Sequence, residues 1–219
     1  SDTLTEKNEL QDKLEAFKKG EIDILLGTQM VAKGLNFPNL QLVGVVLADT
    51  GLSMPDFRAS ERTFSLLVQV AGRAGRFFPD GKVIIQTYNP YRSAISFASK
   101  NDIEGFYTQE LEERKMLDFP PYSRLIRLVF RAASKEVSEN EANGAAEVLK
   151  DLSNNNTDFI VLGPSECPIS MISANYRNQI LLRGTRLGLL QKAVYTLLYN
   201  YKSPSGVYIE VDVDPVSLL

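Results

Sequence analysis

The sequence predicts an α/β protein in two parts, a parallel layer of strands and helices followed by a small α+β domain with a split β-α-β-β-α-β pattern. Three observations carry this. Short β-prone runs in the first half are separated by amphipathic stretches. Phe119-Pro120-Pro121 interrupts the chain near its middle. Beyond it the apolar spacing changes period in the order strand, helix, strand, strand, helix, strand.

Residues 5–19 carry Leu10, Leu14 and Phe17 at helical spacing, and Gly20 after Lys18-Lys19 is a helix stop. Ile22–Leu26 reads as a buried strand and Leu42–Leu47 as a second; Asn36-Phe37-Pro38 between them cannot continue a helix. Phe57, Phe64, Val68 and Ala71 mark another amphipathic helix, and Lys82–Tyr88 a third strand. Three strands without one before the first helix would leave sheet edge and helix face uncovered, so the layer is expected to begin upstream of residue 1. Ser93–Ser99 and Ile103–Leu117 read as helices, the second with Ile103, Tyr107 and Leu111 as its apolar stripe. The expected division is 1–92, a helical linker 93–121, and 122–219.

In the last part Arg124–Arg131 reads as a strand, Glu136–Leu152 as a helix, and Phe159–Leu162 as a short strand. Arg177–Arg183 follows as a strand, then a helix striped by Leu187, Leu190, Val194 and Leu197. Val207, Ile209, Val211 and Val213 alternate with polar residues in the final strand. Met171 and Ile172 read as core, and Cys167 as an inert thiol.

The bulk numbers are those of an ordinary globular chain: 219 residues, 44% hydrophobic, 23% charged, formal net charge −3. Any nucleic-acid contact must therefore come from local clusters. Arg114, Lys115, Arg124, Arg127 and Arg131 stand against Asp118 alone in one stretch. With no histidine and the single Cys167, the chain can build neither a disulfide framework nor a Cys/His zinc site. It has no apolar run of the ~18 residues a membrane helix needs, and a cytoplasmic location is expected.

Two blocks carry chemistry. Gln69-Val70-Ala71-Gly72-Arg73-Ala74-Gly75-Arg76 ends a helix with two arginines three apart. Permanently charged, planar guanidinium groups can clamp phosphate oxygens and neutralise charge in phosphoryl transfer. The same residues also suit a plain helix end. Gly27-Thr28-Gln29-Met30-Val31-Ala32-Lys33-Gly34 follows an expected strand end, where ligand loops gather, or is simply a turn. In the C-terminal part, Arg124, Arg127, Arg131, Arg177 and Arg183 with Tyr122 and Tyr176 form either a nucleic-acid face or a solvated charged sheet face.

In this order, the two blocks resemble motifs V and VI of superfamily 2 helicases, carried by the second RecA-like lobe. Together with Leu47-Ala48-Asp49, Asp56-Phe57-Arg58-Ala59, Glu61-Arg62-Thr63-Phe64, Gln86-Thr87-Tyr88-Asn89-Pro90, Phe119-Pro120-Pro121-Tyr122 and Val211-Asp212-Val213-Asp214-Pro215, they look like the replication-restart family of primosomal protein N′. The resemblance covers nearly the whole chain. It implies the C-terminal part of an ATP-dependent 3′-to-5′ DNA helicase that restarts stalled forks and initiates primosome assembly.

By the same resemblance, Arg73 and Arg76 form the catalytic arginine-finger block. Gln69, Gly72 and Asn36 lie toward the nucleotide, and Gly27, Thr28, Gln29, Lys33 and Arg58 toward nucleic acid. Implied partners are forked or single-stranded DNA, the tail of single-stranded DNA-binding protein and other primosome proteins. One departure stands out, because the family commonly has His-Asp where this chain has Leu35-Asn36. The chain has no G-x-x-x-x-G-K-S/T phosphate loop and no Asp-Glu pair. ATP and Mg²⁺ thus require the first lobe, the family's zinc ligands are expected upstream, and this part alone is expected to be inactive. The alternative is a stand-alone nucleic-acid or protein-binding module on a helicase-like scaffold, or a helicase whose substrate is RNA or a recombination intermediate.

Overall fold

The longest run of buried side chains is Leu125–Phe130, and a strand hidden on both faces must lie between other strands with a layer on each side. A computed structural model shows this arrangement. It describes residues 2–28, 37, 39–74, 81–154 and 158–219, with backbone alone for 2–8, 73 and 74. The chain divides into two compact units, 1–53 with 59–107, and 54–58 with 108–219.

In the first unit the described elements are α1 (Asp2–Lys19), β1 (Leu42–Val45), α2 (Asp49–Leu52), α3 (Ala59–Ala74), β2 (Lys82–Ile85), α4 (Ser93–Lys100) and the start of α5 (Ile103–Met116). Strands β1 and β2 pair in parallel, Leu42 opposite Lys82 and Val45 opposite Ile85. Gly20 ends α1 at φ +80°, a conformation that a residue with a Cβ rarely adopts. The core is Phe64 and Leu67 of α3 with Ala94, Ile95, Ala98 and Phe106, and Phe64 stacks on Phe106 at 3.9 Å between ring centroids.

Two expectations fail in this unit. Ile22–Leu26 forms no strand, and Ile24 and Leu26 are exposed; a β-prone run becomes a strand only where a neighbour completes its ladder, and β1 and β2 are the strands paired among the described residues. Ile103, Tyr107 and Leu111 are also exposed, while Phe106 and Glu110 are buried. Phe106 goes inward because its ring completes the aromatic contact with Phe64, which turns α5 away from the face its aliphatic spacing suggests.

The second unit holds β3 (Arg124–Ala132), α6 (Lys135–Asn154), β4 (Phe159–Ile172), β5 (Asn175–Gly184), α7 (Leu187–Asn200) and β6 (Tyr208–Val213). The sheet order is β4-β5-β3-β6 with every neighbour antiparallel, the split βαβ topology. One face packs Ile126, Leu128, Phe130, Ile180 and Leu182 against Ala142, Ala145 and Leu149 of α6 and Leu190, Val194 and Leu197 of α7. The small alanines let α6 approach the sheet closely.

Strand β4 is far longer than the expected Phe159–Leu162. Gly163, Pro164 and Pro168 look like turn residues, yet the strand absorbs them through register shifts between Leu162 and Ser165 and between Glu166 and Met171. Gly163 sits at φ +99°, where a Cβ would meet the Gln179 carbonyl at 3.1 Å. The extension carries Met171 and Ile172 to the exposed end of the β4-β5 hairpin, so neither is core.

The structure divides the expected basic face, leaving Arg124 exposed and Arg131 and Arg183 half-buried. Arg127 and Arg177 are buried. Arg127 Nε donates to Gln179 Oε1 at 2.7 Å, and its Nη1 to the carbonyls of Leu219 at 3.0 Å and Ser217 at 3.4 Å. Arg177 donates to the Ile169 carbonyl and Arg183 to that of Leu117. Arg124 pairs with Asp214, and Arg131 with Glu210 at 2.9 Å. The β4 extension supplies the Ile169 carbonyl and residues 214–219 supply Asp214, Ser217 and Leu219, and sequence spacing announces neither segment. Burial raises the Cys167 thiol above its ordinary pKa, so it is a poor nucleophile.

Ser138 is fully buried; its hydroxyl donates to the Phe130 carbonyl at 2.9 Å and accepts from Asn178 Nδ2 at 3.0 Å. Ser138→Ala leaves both groups without that partner and is expected to cost about 1–3 kcal/mol in urea unfolding of the second unit.

Burial pushes the Tyr201 phenol up to about 12, helped by its hydrogen bond to Glu141 at 3.0 Å. The folded value lies above the ~10 of an unfolded tyrosine. This contribution to stability is therefore complete below about pH 10 and is lost as pH rises toward 12. Stability measured from pH 9 to 12 should fall less steeply in Tyr201→Phe than in the wild type, and equal slopes would contradict the linkage.

Candidate nucleotide and nucleic-acid site

The carboxyl ends of β1 and β2 lie side by side, the position at which parallel sheets expose their ligand loops. The ladder continues past the strands, with Gln86 N–H donating to the Val45 carbonyl and Ala48 N–H to that of Gln86. One carboxylate ties the two ends together. Asp49 accepts from the Tyr88 N–H at 2.9 Å and from the Thr87 hydroxyl at 3.0 Å. The Tyr88 N–H holds the Asp49 carboxyl below the usual carboxylate range, with desolvation opposing it and the Thr87 hydroxyl adding to it. Sequence reading marks both blocks but gives no sign that they meet, because 38 residues separate Asp49 from Thr87.

Helix α3 turns Phe64, Leu67 and Val70 inward and leaves Gln69 and Gly72 exposed. Gln69, Gly72 and the backbone of Arg73 stand at i, i+3 and i+4, on one face of the helix. Gly72 has open space where a Cβ would project. Gly27 and Thr28 are exposed and border an apolar cavity of about 330 Å³, walled by Phe17, Phe37, Leu66 and Val70. Phe17 and Phe37 meet edge to face at 5.0 Å. Gln29, Lys33, Asn36 and Arg76 lie outside the described residues.

Arg58 belongs to the second unit. Its guanidinium lies 5.2 Å from the Phe57 ring centroid, and Phe57 stacks on Phe119 at 5.2 Å with 5° between planes. Arg114 approaches Phe57 at 5.3 Å, and Arg183 approaches Phe119 at 5.6 Å. Arg58 Nε is buried with no hydrogen-bond partner among the described residues. Beside this stack, buried Asp56 accepts from the N–H of Arg58 at 2.9 Å and of Leu218 at 2.9 Å. The sequence placed Phe57 on the α3 stripe; it instead leaves the helix to pair with Phe119.

No metal centre can be assembled from Cys and His ligands in a chain with one cysteine and no histidine. Among the described residues no three Asp, Glu, His or Cys side chains converge on a metal-sized site, and no helix is long and apolar enough to cross a membrane.

The Helicase conserved C-terminal domain family model matches residues 2–78, and the Primosomal protein N C-terminal domain model matches residues 115–216. A helicase conserved C-terminal domain followed by a primosomal protein C-terminal domain defines the class to which the chain belongs. The chain is 49% identical over 210 residues to the replication restart protein PriA of Treponema pallidum (strain Nichols), covering 96% of this chain and 32% of that protein. It is 42% identical over 208 residues to that of Borreliella burgdorferi, covering 95% and 31%. Against that of Bacillus subtilis (strain 168) the identity is 40% over 221 residues, covering 100% and 27%. The chain belongs to the replication restart protein PriA family and spans about a third of the length of these relatives.

Asp49→Ala removes the acceptor that joins the two strand ends. Hydrogen exchange is expected to show faster exchange at the Tyr88 amide, with the β3 amides unchanged; unaltered protection at Tyr88 would assign the link elsewhere.

Proposed function

We propose that this chain is the C-terminal part of an ATP-dependent 3′-to-5′ DNA helicase that acts on stalled replication forks and starts primosome assembly. The observation that carries the reading is the exposed face of α3, where Gln69 and Gly72 stand clear of the core in the block that ends in Arg73 and Arg76. A helix whose opposite face is locked by Phe64 and Leu67 is a rigid base for charged side chains, and rigidity matters because preorganised positive charge stabilises a phosphoryl-transfer transition state.

In this reading Arg73 and Arg76 neutralise charge developing on the transferred phosphoryl group, while Gln69, Gly72 and Asn36 lie toward the nucleotide. Gly27, Thr28, Gln29 and Lys33 meet the DNA backbone through amides and a point charge, and Arg58 adds a further cation. ATP and Mg²⁺ are held by the rest of the protein, since this sequence has no phosphate loop, and any zinc belongs there too, since it has one cysteine and no histidine. By itself the chain is inactive. Forked or single-stranded DNA, the tail of single-stranded DNA-binding protein and other primosome proteins are its partners, in the cytoplasm.

The test compares ATP hydrolysis on forked DNA by this chain, by the full-length protein and by full-length Arg76→Ala. The expected result is no turnover for the chain and a kcat lowered about 10³-fold or more by Arg76→Ala. Turnover by the chain alone, or an unchanged kcat in the variant, would remove the arginine-finger assignment.

A further inference from the structure

The turn that follows β2 presents two almost fully exposed aromatic side chains on a braced backbone. Tyr88 is 88% exposed and Tyr91 90%. Tyrosines so far from any core contribute no burial energy to the fold, yet the backbone carrying them is held at four points. Tyr88 N–H donates to Asp49, and Asn89 N–H to the Thr87 hydroxyl at 3.0 Å. Tyr91 N–H donates to the Asn89 side-chain oxygen at 3.2 Å, and Arg92 N–H to the Asn89 carbonyl at 3.3 Å. Asparagine first and proline second is the composition such a β-turn favours. The bracing orders the turn before any ligand arrives and lowers the entropy that binding must offset.

Charge narrows the kind of ligand. Residues 81–101 contain Lys82, Arg92 and Lys100 and no Asp or Glu, in a chain of net charge −3. Arg92 directly follows Tyr91 and is exposed. The nearby Asp49 carboxylate is already engaged by Thr87 and Tyr88. Exposed aromatic faces beside unpaired cationic charge suit a polyanion that carries flat apolar rings, and unpaired DNA bases on their phosphate chain meet that description. Duplex DNA does not, because its base faces are already stacked.

We infer that the Tyr88–Arg92 turn is a base-stacking platform for single-stranded DNA, Tyr88 and Tyr91 receiving bases and Arg92 a phosphate. This rests on the helicase reading and adds to it a contact outside the motif residues. Because stacking needs a ring and not a hydroxyl, Tyr→Phe at both positions preserves the platform and Tyr→Ala removes it.

The experiment uses the full-length protein and a fluorescent oligothymidylate, with photocrosslinking of a 5-iodouracil oligonucleotide as a readout that needs no variant. Tyr88→Ala/Tyr91→Ala is expected to weaken binding about ten-fold or more. Tyr88→Phe/Tyr91→Phe restores it, and wild-type crosslinks map to Tyr88 or Tyr91. Wild-type affinity in the Ala pair, or crosslinks only at other residues, overturns the platform and leaves the helicase reading standing; the turn then faces a protein partner. A wild type that binds no single strand and hydrolyses no ATP overturns both.

Discussion

A guanidinium in the middle of a sheet has to be given acceptors, and Arg127 sets this condition for the second unit. It sits on β3 between Leu125 and Val129, 4% exposed, and its planar fork of N–H donors has no acceptor of its own. Leaving such a group unmatched costs several kcal/mol. Gln179 on the neighbouring strand satisfies one nitrogen, and the carbonyls of Ser217 and Leu219 satisfy another, so residues after β6 must fold back over the sheet. The return starts at Asp214, whose N–H donates to the Leu125 carbonyl and whose carboxylate pairs with Arg124. It ends with Leu218 buried and its N–H on Asp56. A second layer is thereby built on the sheet face opposite the helices.

The residues of the family-like blocks sort into two groups. Asp49, Thr87, Asp56, Phe57 and Asp214 are consumed by architecture, joining strand ends or fixing loops. Gln69, Gly72 and Tyr88 project into solvent, the first two from a helix anchored by Phe64 and Leu67 and the third from a turn tied to Asp49. Burial and hydrogen-bond partners separate them.

The split βαβ domain was legible because its core face repeats with period 2 in the strands and 3.6 in the helices, and Leu128, Phe130, Ala145, Leu149, Leu190 and Leu197 all lie where those periods place them. What escaped was non-local. Whether Gly163-Pro164 ends a strand or bends one depends on the register of β5, and whether Arg127 faces water depends on residues ninety positions away. The inward turn of Phe106 depends on Phe64 in another helix. In the candidate site, Gln69 and Gly72 are exposed on α3 while Phe64 and Leu67 are buried, a separation set by local helix spacing. The union of Asp49 with Thr87 and of Phe57 with Phe119 could not be read, since tertiary contact alone creates it.

Residues 54–58 leave the first unit after α2, take part in the second through Asp56 and Phe57, and return to begin α3. The two family models divide the chain differently, the helicase match running through these residues to 78 and the primosomal match beginning at 115. No single cut therefore yields both units whole. A gene segment for residues 108–219 would carry Phe119 and Leu218 without the ring and the carboxylate that meet them. An interleaved boundary of this kind resists shuffling by recombination.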